Sequence, residues 1–380
     1  MLLRVPDFYD SFRCIAGKCT DTCCVGWEID VDKVSAKRYA KVKGEFGEKL
    51  RENIEDGHFK LLAGDRCPFL RQDGLCNMIC NLGEESLCDI CREHPRFVEV
   101  YGDIMEKGIG LCCEEGVRLL LESKGTATSP IAFIEREIDD EPDDIPDDAL
   151  EARNAIFEER ENLFKILADH SKPLNERLIK LIDFAVETSG FEDLEQSTNN
   201  SKISTNDKIS NNILRCWIEV LGKGESFGPA WDCAYKKLVQ ISQARDTVHK
   251  NKTSNESSIG KSVGLFTDSE GEKIIAYLLF RYYEKSLFDG NSLTKVQFAL
   301  YFWIMLQKFG TIFADACNNA NNSTATNKSG TANPQTAKIN AIKLFSKQTE
   351  YSEEIMGILE EEFMGNPAFS LENFKRILAE

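Results

Sequence analysis

The sequence predicts a mainly α-helical protein, in which an irregular, cysteine-rich N-terminal metal domain with a few short strands precedes an all-helical body. Two observations carry this prediction. Eleven of the fourteen cysteines lie before residue 114, which concentrates thiol chemistry in the first third of the chain. Beyond residue 150 the apolar residues recur at helical spacing, whereas the cysteine-rich part is broken by many turn-forming residues.

Length and composition describe a globular protein and restrict its partners. A chain of 380 residues suggests two domains, and 42% hydrophobic with 29% charged residues is typical of a folded protein. The net charge of −17 disfavours nucleic acids and anionic membranes, because both carry negative charge themselves. The same charge favours a partner that exposes lysines.

The chain is expected to stay in the cytoplasm. Its first residues have no apolar stretch of signal-peptide length, and charges enter early at Arg4 and Asp7. The most apolar run, residues 298–306, is much shorter than the roughly 20 residues that span a bilayer. Because thiols are kept reduced in the cytoplasm, clustered cysteines there indicate metal binding or catalysis before a disulfide framework.

The first predicted domain covers residues 1–125, and an acidic linker follows at 126–150. Residues 27–31 and 97–101 alternate apolar and polar side chains, which predicts two short strands. A helix is expected over 34–50, and another continues to residue 122 from the cysteines at 112 and 113. The linker is assigned because residues 135–148 are strongly acidic and contain Pro142 and Pro146.

The second predicted domain covers residues 151–380 and is entirely helical. Its longest apolar helices are expected over 272–288 and 293–316, and two or three helices close the chain from residue 337. Stretches rich in Asn, Ser, Thr and Lys predict polar loops at 195–212, 246–262 and 318–336. This body contains no paired histidines and no basic aromatic patch, so its expected task is to shape a groove for a protein substrate.

The cysteine pattern favours a metal centre. Soft sulfur donors select iron–sulfur clusters or zinc over magnesium or calcium, and a redox role for the thiols is the third alternative. No common spacing is matched, since Gly26 and Gly83 stand where a radical-type cluster motif would need its third cysteine. Only Cys88 and Cys91 have zinc-finger spacing. In the adjacent pairs 23–24 and 112–113 we expect one cysteine to bind metal and the other to support it.

Four blocks of residues resemble the flagellin lysine-N-methylase family. They are Cys-x4-Cys-x3-Cys-Cys-x-Gly-Trp at 14–27, Cys-Pro-Phe-Leu with Gly-Leu-Cys at 67–76, Leu-x3-Cys-x3-Pro-Arg at 87–96, and Cys-Glu-Glu-x2-Arg-Leu at 113–119. The first three blocks are also similar to a broader family of zinc- or iron-chelating cysteine-rich domains. The resemblance covers residues 8–122 and is looser over the helical body.

The resemblance implies a [4Fe–4S] cluster and methyl transfer from S-adenosylmethionine to lysine ε-amines of flagellin. It implies eight candidate metal ligands: Cys14, Cys19, Cys23, Cys24, Cys67, Cys76, Cys91 and Cys113. Eight thiolates exceed the four of one cubane cluster, so either some support the site or a second metal is present. Cys80, Cys88 and Cys112 fall outside the pattern, and His94 stands where the family has an aromatic residue.

The sequence singles out neither a catalytic residue nor a donor-binding residue. No glycine-rich turn lies in a βα context, so a nucleotide-type binding loop is absent from the prediction. An iron that coordinates the amino acid end of S-adenosylmethionine would explain this lack. Carboxylates near the cysteines could handle the lysine ammonium, or be ordinary surface groups: Asp21, Glu28, Asp30, Glu114 and Glu115. The alternative to an enzyme is a non-catalytic zinc- or iron-binding scaffold for protein interaction.

Overall fold

A computed structural model describes the fold over residues 1–26, 28–143, 145–190, 207–250, 264–322 and 333–380. Six strands lie within these ranges: β1 (Leu2–Pro6), β2 (Ile54–Glu55), β3 (His58–Phe59), β4 (Arg96–Tyr101), β5 (Ile104–Ile109) and β6 (Phe133–Glu137). Helices dominate the rest, so the predicted mainly α class is confirmed.

The helices fall into a short set and a long set. Five short helices lie among the cysteines: α1 (Lys33–Tyr39), α2 (Gly44–Glu52), α3 (Asn77–Leu82), α4 (Asp89–Glu93) and α5 (Glu114–Glu122). The remainder form the body: α6 (Asp147–Leu167), α7 (Leu174–Ser189), α8 (Asp207–Val220), α9 (Pro229–Lys250), α10 (Asp268–Tyr282), α11 (Ser286–Asp289), α12 (Ser292–Asn322), α13 (Pro334–Thr349), α14 (Glu353–Gly365) and α15 (Leu371–Leu378).

A four-stranded sheet joins the ends of the N-terminal region. Its strand order is β4-β5-β1-β6, with β1 parallel to β5 and antiparallel to β6, and with β4 and β5 forming a hairpin. The hairpin turns at Gly102, whose φ of 71° lies in the left-handed region that glycine adopts without steric cost. The sheet therefore brings residues 2–6 beside residues 104–109. Most of the cysteine-rich segment lies between these two strands in the sequence, so the sheet joins its two ends.

Two hydrophobic cores are present among the described residues. The large core packs helices α5–α10 and α12–α15 against the sheet, and Phe97 of β4 and Ile109 of β5 belong to it together with Trp217 and Trp303. The small core lies wholly within residues 24–91 and includes Tyr39, Phe59 and Phe69 along with several cysteines. A core this small supplies little hydrophobic stabilisation, so other links must help to hold this segment together.

A buried ion network ties the sheet to the helical body. Arg160 of α6 is fully buried, and its guanidinium donates two hydrogen bonds of 2.6 and 2.8 Å to Glu106 of β5. Its Nε also lies 2.6 Å from Oε1 of Glu284, although the two atoms are not aligned for a hydrogen bond. Burial is the main reason why the pKa of Glu284 rises to about 8.

Several local predictions differ from the structure. Residues 97–101 form a strand as predicted, but residues 28–31 do not, and only Asp30 makes an isolated bridge to His58. The helix expected over 34–50 is two helices, because Gly44 has a φ of 79° that no helix interior adopts. Of the six strands, only β4 is predicted from the sequence, and β6 with the start of α6 lies inside the segment assigned as a linker.

The predicted polar loops lie partly outside the described residues. Residues 195–206, 251–262 and 323–332 of these loops are not described, whereas α8, α9, α12 and α13 extend into the remaining parts. The domain boundaries at 125 and 150 remain predictions. No helix in the described part of the chain combines the length and the apolar character needed to cross a bilayer.

Candidate metal centre

Nine of the eleven cysteines in the first 113 residues fall into two groups, and Cys80 and Cys112 lie outside both. The first, called here the small-core thiol group, gathers around the small core and consists of Cys23, Cys24, Cys67, Cys76, Cys88 and Cys91. The second, called the interface thiol group, faces the helical body and consists of Cys14, Cys19 and Cys113. The spacing of the eight predicted ligands carries no signal that would assign them to one group or the other.

Backbone pairing brings the small-core thiols together. The Cys67 amide donates a 2.9 Å hydrogen bond to the Cys24 carbonyl, beside an antiparallel bridge between Val25 and Arg66. The chain then turns back, and a second bridge pairs Leu70 with Cys76. These two pairings connect the segments that carry Cys24, Cys67 and Cys76. Cys24 is some forty residues before Cys67 in the sequence, so the backbone pairing is what brings them together.

Helix α4 contributes the fourth segment of this group. Cys88 is the residue that precedes α4, and Cys91 lies within its single turn. The Asp32 carboxylate fixes the helix start, since it accepts hydrogen bonds from the amides of Ser35 (2.8 Å) and Asp89 (3.0 Å) at the same time. Cys88, which lies outside the family pattern, is buried in the small core and is hydrogen-bonded to Cys91. Its two-residue spacing from Cys91 is the signal in the sequence that could have included it.

Burial and mutual repulsion keep most of these thiols protonated. Burial is the main reason why the pKa of Cys67 rises to about 11, and neighbouring Cys76 and Cys88 raise it further. A hydrogen bond with Cys91 lowers the pKa of Cys88 to about 7 and raises the pKa of Cys91 in turn. Thiolates gathered in this way need a nearby positive charge, and a bound metal ion is the usual source.

The thiols of the small-core thiol group are the ligand type that a soft metal ion prefers, but their sulfur atoms are not arranged around a common metal position. In the described ranges, no three or more Cys, His, Asp or Glu side chains are placed so that they could hold a metal ion as they stand. None of the thirteen cysteines in the described part whose side chains are defined forms a disulfide. Metal binding would therefore require the thiols to turn toward one another.

The interface thiol group lies at the start of α5. Cys113 precedes the helix, and burial together with the nearby thiols of Cys19 and Cys14 raises its pKa to about 11. The Cys19 sulfur lies 3.6 Å from the Glu114 carboxylate, which also accepts hydrogen bonds from the Thr20 amide (2.9 Å) and hydroxyl (2.7 Å). Glu114 thus joins the cysteine loop to the first turn of α5.

Two lysines of α13 hold the same loop from the other side. The Lys347 ammonium lies 2.5 Å from the Asp21 carboxylate, and Lys343 lies 3.6 Å from Asp21 and 3.7 Å from Glu114. Burial raises the pKa of Asp21, but the two lysines outweigh it, so that the pKa falls below its ordinary value. Lys343 is nearly buried, with a side-chain exposure of 8%.

Cys112 and its neighbour Cys113 have different hydrogen-bond surroundings. Cys112 is buried, and it shares a hydrogen bond with Tyr351, which follows α13. Next to it, Arg281 lies between the rings of Phe97 and Tyr351 and donates a 2.9 Å hydrogen bond to Glu350. Cys113, in contrast, has the thiols of Cys19 and Cys14 nearby.

His94 lies near this network rather than in a thiol group. Its ring packs edge-on against Tyr351, with ring centres 6.3 Å apart. Burial, followed by the charges of Lys347 and Arg281, lowers the pKa of His94 to about 4. The side chain is therefore neutral at physiological pH, where it can accept a hydrogen bond without carrying a charge.

The remaining candidate carboxylates are already paired. Asp30 lies 2.7 Å and Glu28 3.6 Å from the His58 ring, and Glu115 pairs with Arg118 at 2.6 Å. His58 and Asp30 also line an open surface cleft of about 440 Å³ beside α4. Within the described structure, each of these three carboxylates therefore has a cationic or imidazole partner.

The chain is similar over part of its length to proteins named lysine-N-methylase. No family model matches the sequence, and no solved structure matches the chain. Proteins named lysine-N-methylase from Salmonella typhimurium and Salmonella choleraesuis are each 28% identical over 148 residues, which is 36% of this chain and 37% of theirs. The match thus spans little more than a third of those relatives.

A third relative is covered more completely. The flagellar biosynthetic protein FliU of Salmonella muenchen is 30% identical over 120 residues, which is 29% of this chain and 71% of that protein. The chain therefore belongs to the family of the flagellar biosynthetic protein FliU.

Proposed function

We propose that this chain is a protein lysine N-methyltransferase that uses S-adenosylmethionine and acts on flagellin in the cytoplasm. The proposal rests on the similarity of the chain to proteins named lysine-N-methylase and on its membership of the FliU family. The net charge of −17 supports it, because an acidic surface attracts a substrate that presents lysines. The similarity covers part of the chain only, so the activity of the whole protein requires a direct test.

We further propose that thiolates of the small-core group hold an iron–sulfur cluster, with [4Fe–4S] as the expected type. Cys24, Cys67, Cys76 and Cys91 are predicted ligands that pack in this core, and Cys88 packs in the same core. When bound, such a cluster supplies an iron that can coordinate the amino and carboxylate groups of S-adenosylmethionine. Soft sulfur donors support this assignment, and zinc is the less favoured metal.

Methyl transfer to a lysine amine requires the protein to bind both reactants and to handle a proton. The lone pair of a lysine ε-amine forms a bond to the methyl carbon, the carbon–sulfur bond breaks, and S-adenosylhomocysteine leaves. The amine must be unprotonated before attack, and the product loses one proton afterwards. His94 is neutral at physiological pH and packs against Tyr351, so it would not repel a cationic lysine that approaches this region.

A non-catalytic scaffold is the second candidate function. Its support is the packing of Cys67 and Cys88 inside an apolar core, since structural metal sites are closed in this way. Zinc or iron would then stabilise residues 24–91 for interaction with another protein.

One experiment separates the two functions. The chain is purified without oxygen, its iron, sulfide and zinc are measured, and it is incubated with flagellin and labelled S-adenosylmethionine. Matched iron and sulfide with label on flagellin lysines support the enzyme. Stoichiometric zinc without label transfer supports the scaffold. C216S serves as a control variant, because Cys216 lies in α8 outside both thiol groups.

A further inference from the structure

We propose that the free edge of strand β6 is a docking surface for an extended, lysine-bearing polypeptide segment, which adds to the sheet as a further strand. The inference deepens the proposed function and rests on it in one respect, since a lysine-bearing segment of flagellin is the expected occupant. The sheet order β4-β5-β1-β6 places β6 at one edge, with β1 as its neighbour on the inner side.

The register shows which backbone groups of β6 face this edge. Directly after β6, the Ile138 amide donates to the Met1 carbonyl at 2.9 Å, and the Met1 ammonium donates to the Ile138 carbonyl at 3.0 Å. In an antiparallel pair such exchanges with the neighbouring strand recur at every second residue. The backbone groups of the residues in between point away from β1, and these residues are Phe133, Glu135 and Glu137.

The outward backbone groups of β6 are available for pairing. Among the described residues, none donates a hydrogen bond to the outward carbonyls or accepts one from the outward amides. Phe133 is half-buried against Phe164, with ring centres 5.7 Å apart, and the four residues after it are exposed. A row of unpaired edge groups is the usual template for an added strand. At about 3.3 Å per residue, the edge accommodates a segment of about five residues.

The charge along this edge selects a cationic occupant. Residues 133–143 contain six carboxylates and one arginine, and that arginine, Arg136, is bound by Asp10 at 3.0 Å. Glu135 lies 3.6 Å from the buried Arg4, so its charge is partly offset. The exposed carboxylates of this stretch that have no ion-pair partner in the described structure are those of Glu137, Asp139, Asp140, Glu141 and Asp143. A lysine ammonium that approaches the edge is therefore attracted to it.

The same charge argues against a second copy of this chain as the occupant. Two β6 edges placed side by side would bring Glu135 and Glu137 close to carboxylates of the other copy, and like charges on neighbouring strands repel. Because alternate residues of a strand share one face, Glu135 and Glu137 point to the same side of the sheet. A segment with lysine at every second position would place its ammonium groups on that side.

The test uses the full chain and a short soluble peptide in which lysine alternates with threonine. Binding is followed by fluorescence anisotropy at low salt, where surface charges are least screened. One control peptide has glutamate in place of lysine. A second keeps the lysines but has methylated backbone amides, which cannot donate hydrogen bonds to a strand. Among the protein variants, E137K/D139K reverses two charges at the edge, and E45K/E48K makes the same change in charge on the exposed face of α2.

A second pair of variants separates the backbone contribution from the charge. Glu137→Gln removes only the carboxylate, whereas Glu137→Pro also removes the outward amide and leaves the hydrogen bonds between β6 and β1 in place. We expect Glu137→Pro to bind the peptide about fivefold less tightly than Glu137→Gln, which corresponds to one hydrogen bond. Circular dichroism establishes that each variant is folded.

We expect the wild type to bind the alternating lysine peptide and neither control peptide. E137K/D139K should weaken binding about tenfold, and E45K/E48K about twofold at most. No binding of the lysine peptide by the wild type overturns the inference, and so does equal binding of the methylated peptide. Equal weakening by E137K/D139K and E45K/E48K also overturns it, because the overall charge and not the β6 edge would then attract the peptide.

Failure of the inference and failure of the proposed function give different results. If E137K/D139K methylates flagellin with the KM of the wild type, the reaction stands and the docking surface is wrong. If peptide binding follows the expected order and flagellin receives no label, the docking surface stands and the proposed reaction is wrong.

Discussion

The ammonium of Lys347 lies 2.5 Å from the carboxylate of Asp21, although 326 residues separate them in the sequence. This contact attaches the loop that carries Cys19 and Cys23 to α13 of the helical body. Lys343, one helical turn earlier, contacts both Asp21 and Glu114. The position of the cysteine loop thus depends on the helical body as well as on the N-terminal segment. Substitutions in α13 should therefore change the accessibility of the thiols in this loop.

Lys347→Met should loosen the cysteine loop. The pair is partly exposed, so its loss is expected to reduce the free energy of unfolding by only about 0.5–1 kcal/mol. The larger effect should be faster labelling of Cys19 and Cys23 by a thiol reagent, followed by mass spectrometry of the labelled peptides. Lys347→Arg keeps the charge and is the matched control. Labelling rates that match the wild type in Lys347→Met would show that the contact does not hold the loop.

Removal of metal should unfold the small core selectively. Residues 24–91 have a small apolar core, whereas α10 and α12 lie in the large one, so the former depend more on metal ligation. Hydrogen exchange followed by mass spectrometry should show lost protection in α1–α4 after chelation and little change in α10 and α12. Equal loss of protection in both regions would indicate that the two cores unfold together.

Cys88 should behave as a member of the small-core thiol group, and Cys80 should not. Cys88 is buried and hydrogen-bonded to Cys91, while Cys80 is exposed on α3 and lies near Arg71. We therefore expect C88S to lose most of the metal at the small-core site and C80S to keep it, as measured by metal analysis of the folded proteins. The reverse order would contradict the assignment of Cys88.

Glu284 should make stability fall as pH rises. Burial raises its pKa to about 8, so the folded state holds the proton more tightly than the unfolded state does. The stabilisation is fully present below the ordinary carboxyl pKa of about 4.3 and is lost as pH rises toward 8. The loss should be on the order of 5 kcal/mol across this window, since each pKa unit corresponds to about 1.4 kcal/mol.

Glu284→Gln tests that pH dependence, because an amide stays neutral throughout. Urea unfolding at pH 5, 6, 7 and 8 should give a flatter profile for this variant than for the wild type. Glu151→Gln, which changes an exposed carboxylate of α6, should follow the wild type. An identical slope in Glu284→Gln and wild type would mean that Arg160 keeps Glu284 ionised in the folded state.

The helical body could be predicted from the sequence for clear physical reasons, whereas metal binding by the cysteines stays a prediction. Long apolar helices such as α10 and α12 repeat at helical spacing, and eleven clustered thiols are typical of metal-binding proteins. The sheet was missed because β1 and β6 pair residues more than 125 positions apart, and each is a short strand without a long alternating pattern. Helix α5 was predicted correctly, since apolar residues mark its buried face.

The division of the thiols could not be predicted from spacing. Cys19 and Cys23 are four residues apart and look like one motif, yet the contacts of Thr20 and Asp21 direct them to different groups. Those contacts depend on α5 and α13, which lie about 90 and 320 residues further along the chain. Cys112 and Cys113 also differ in their contacts although they are adjacent in sequence. Cys112 is hydrogen-bonded with Tyr351, and Cys113 lies near Cys14 and Cys19.

Methyl transfer to flagellin is the most direct test of the proposed activity. The chain, purified without oxygen and with its iron and sulfide measured, is incubated with flagellin and S-adenosylmethionine that carries a labelled methyl group. The expected result is label on flagellin lysine side chains, with transfer reduced at least tenfold in C67S/C76S/C91S and unchanged in C216S. A folded, metal-loaded chain that transfers no label to flagellin would contradict the proposal.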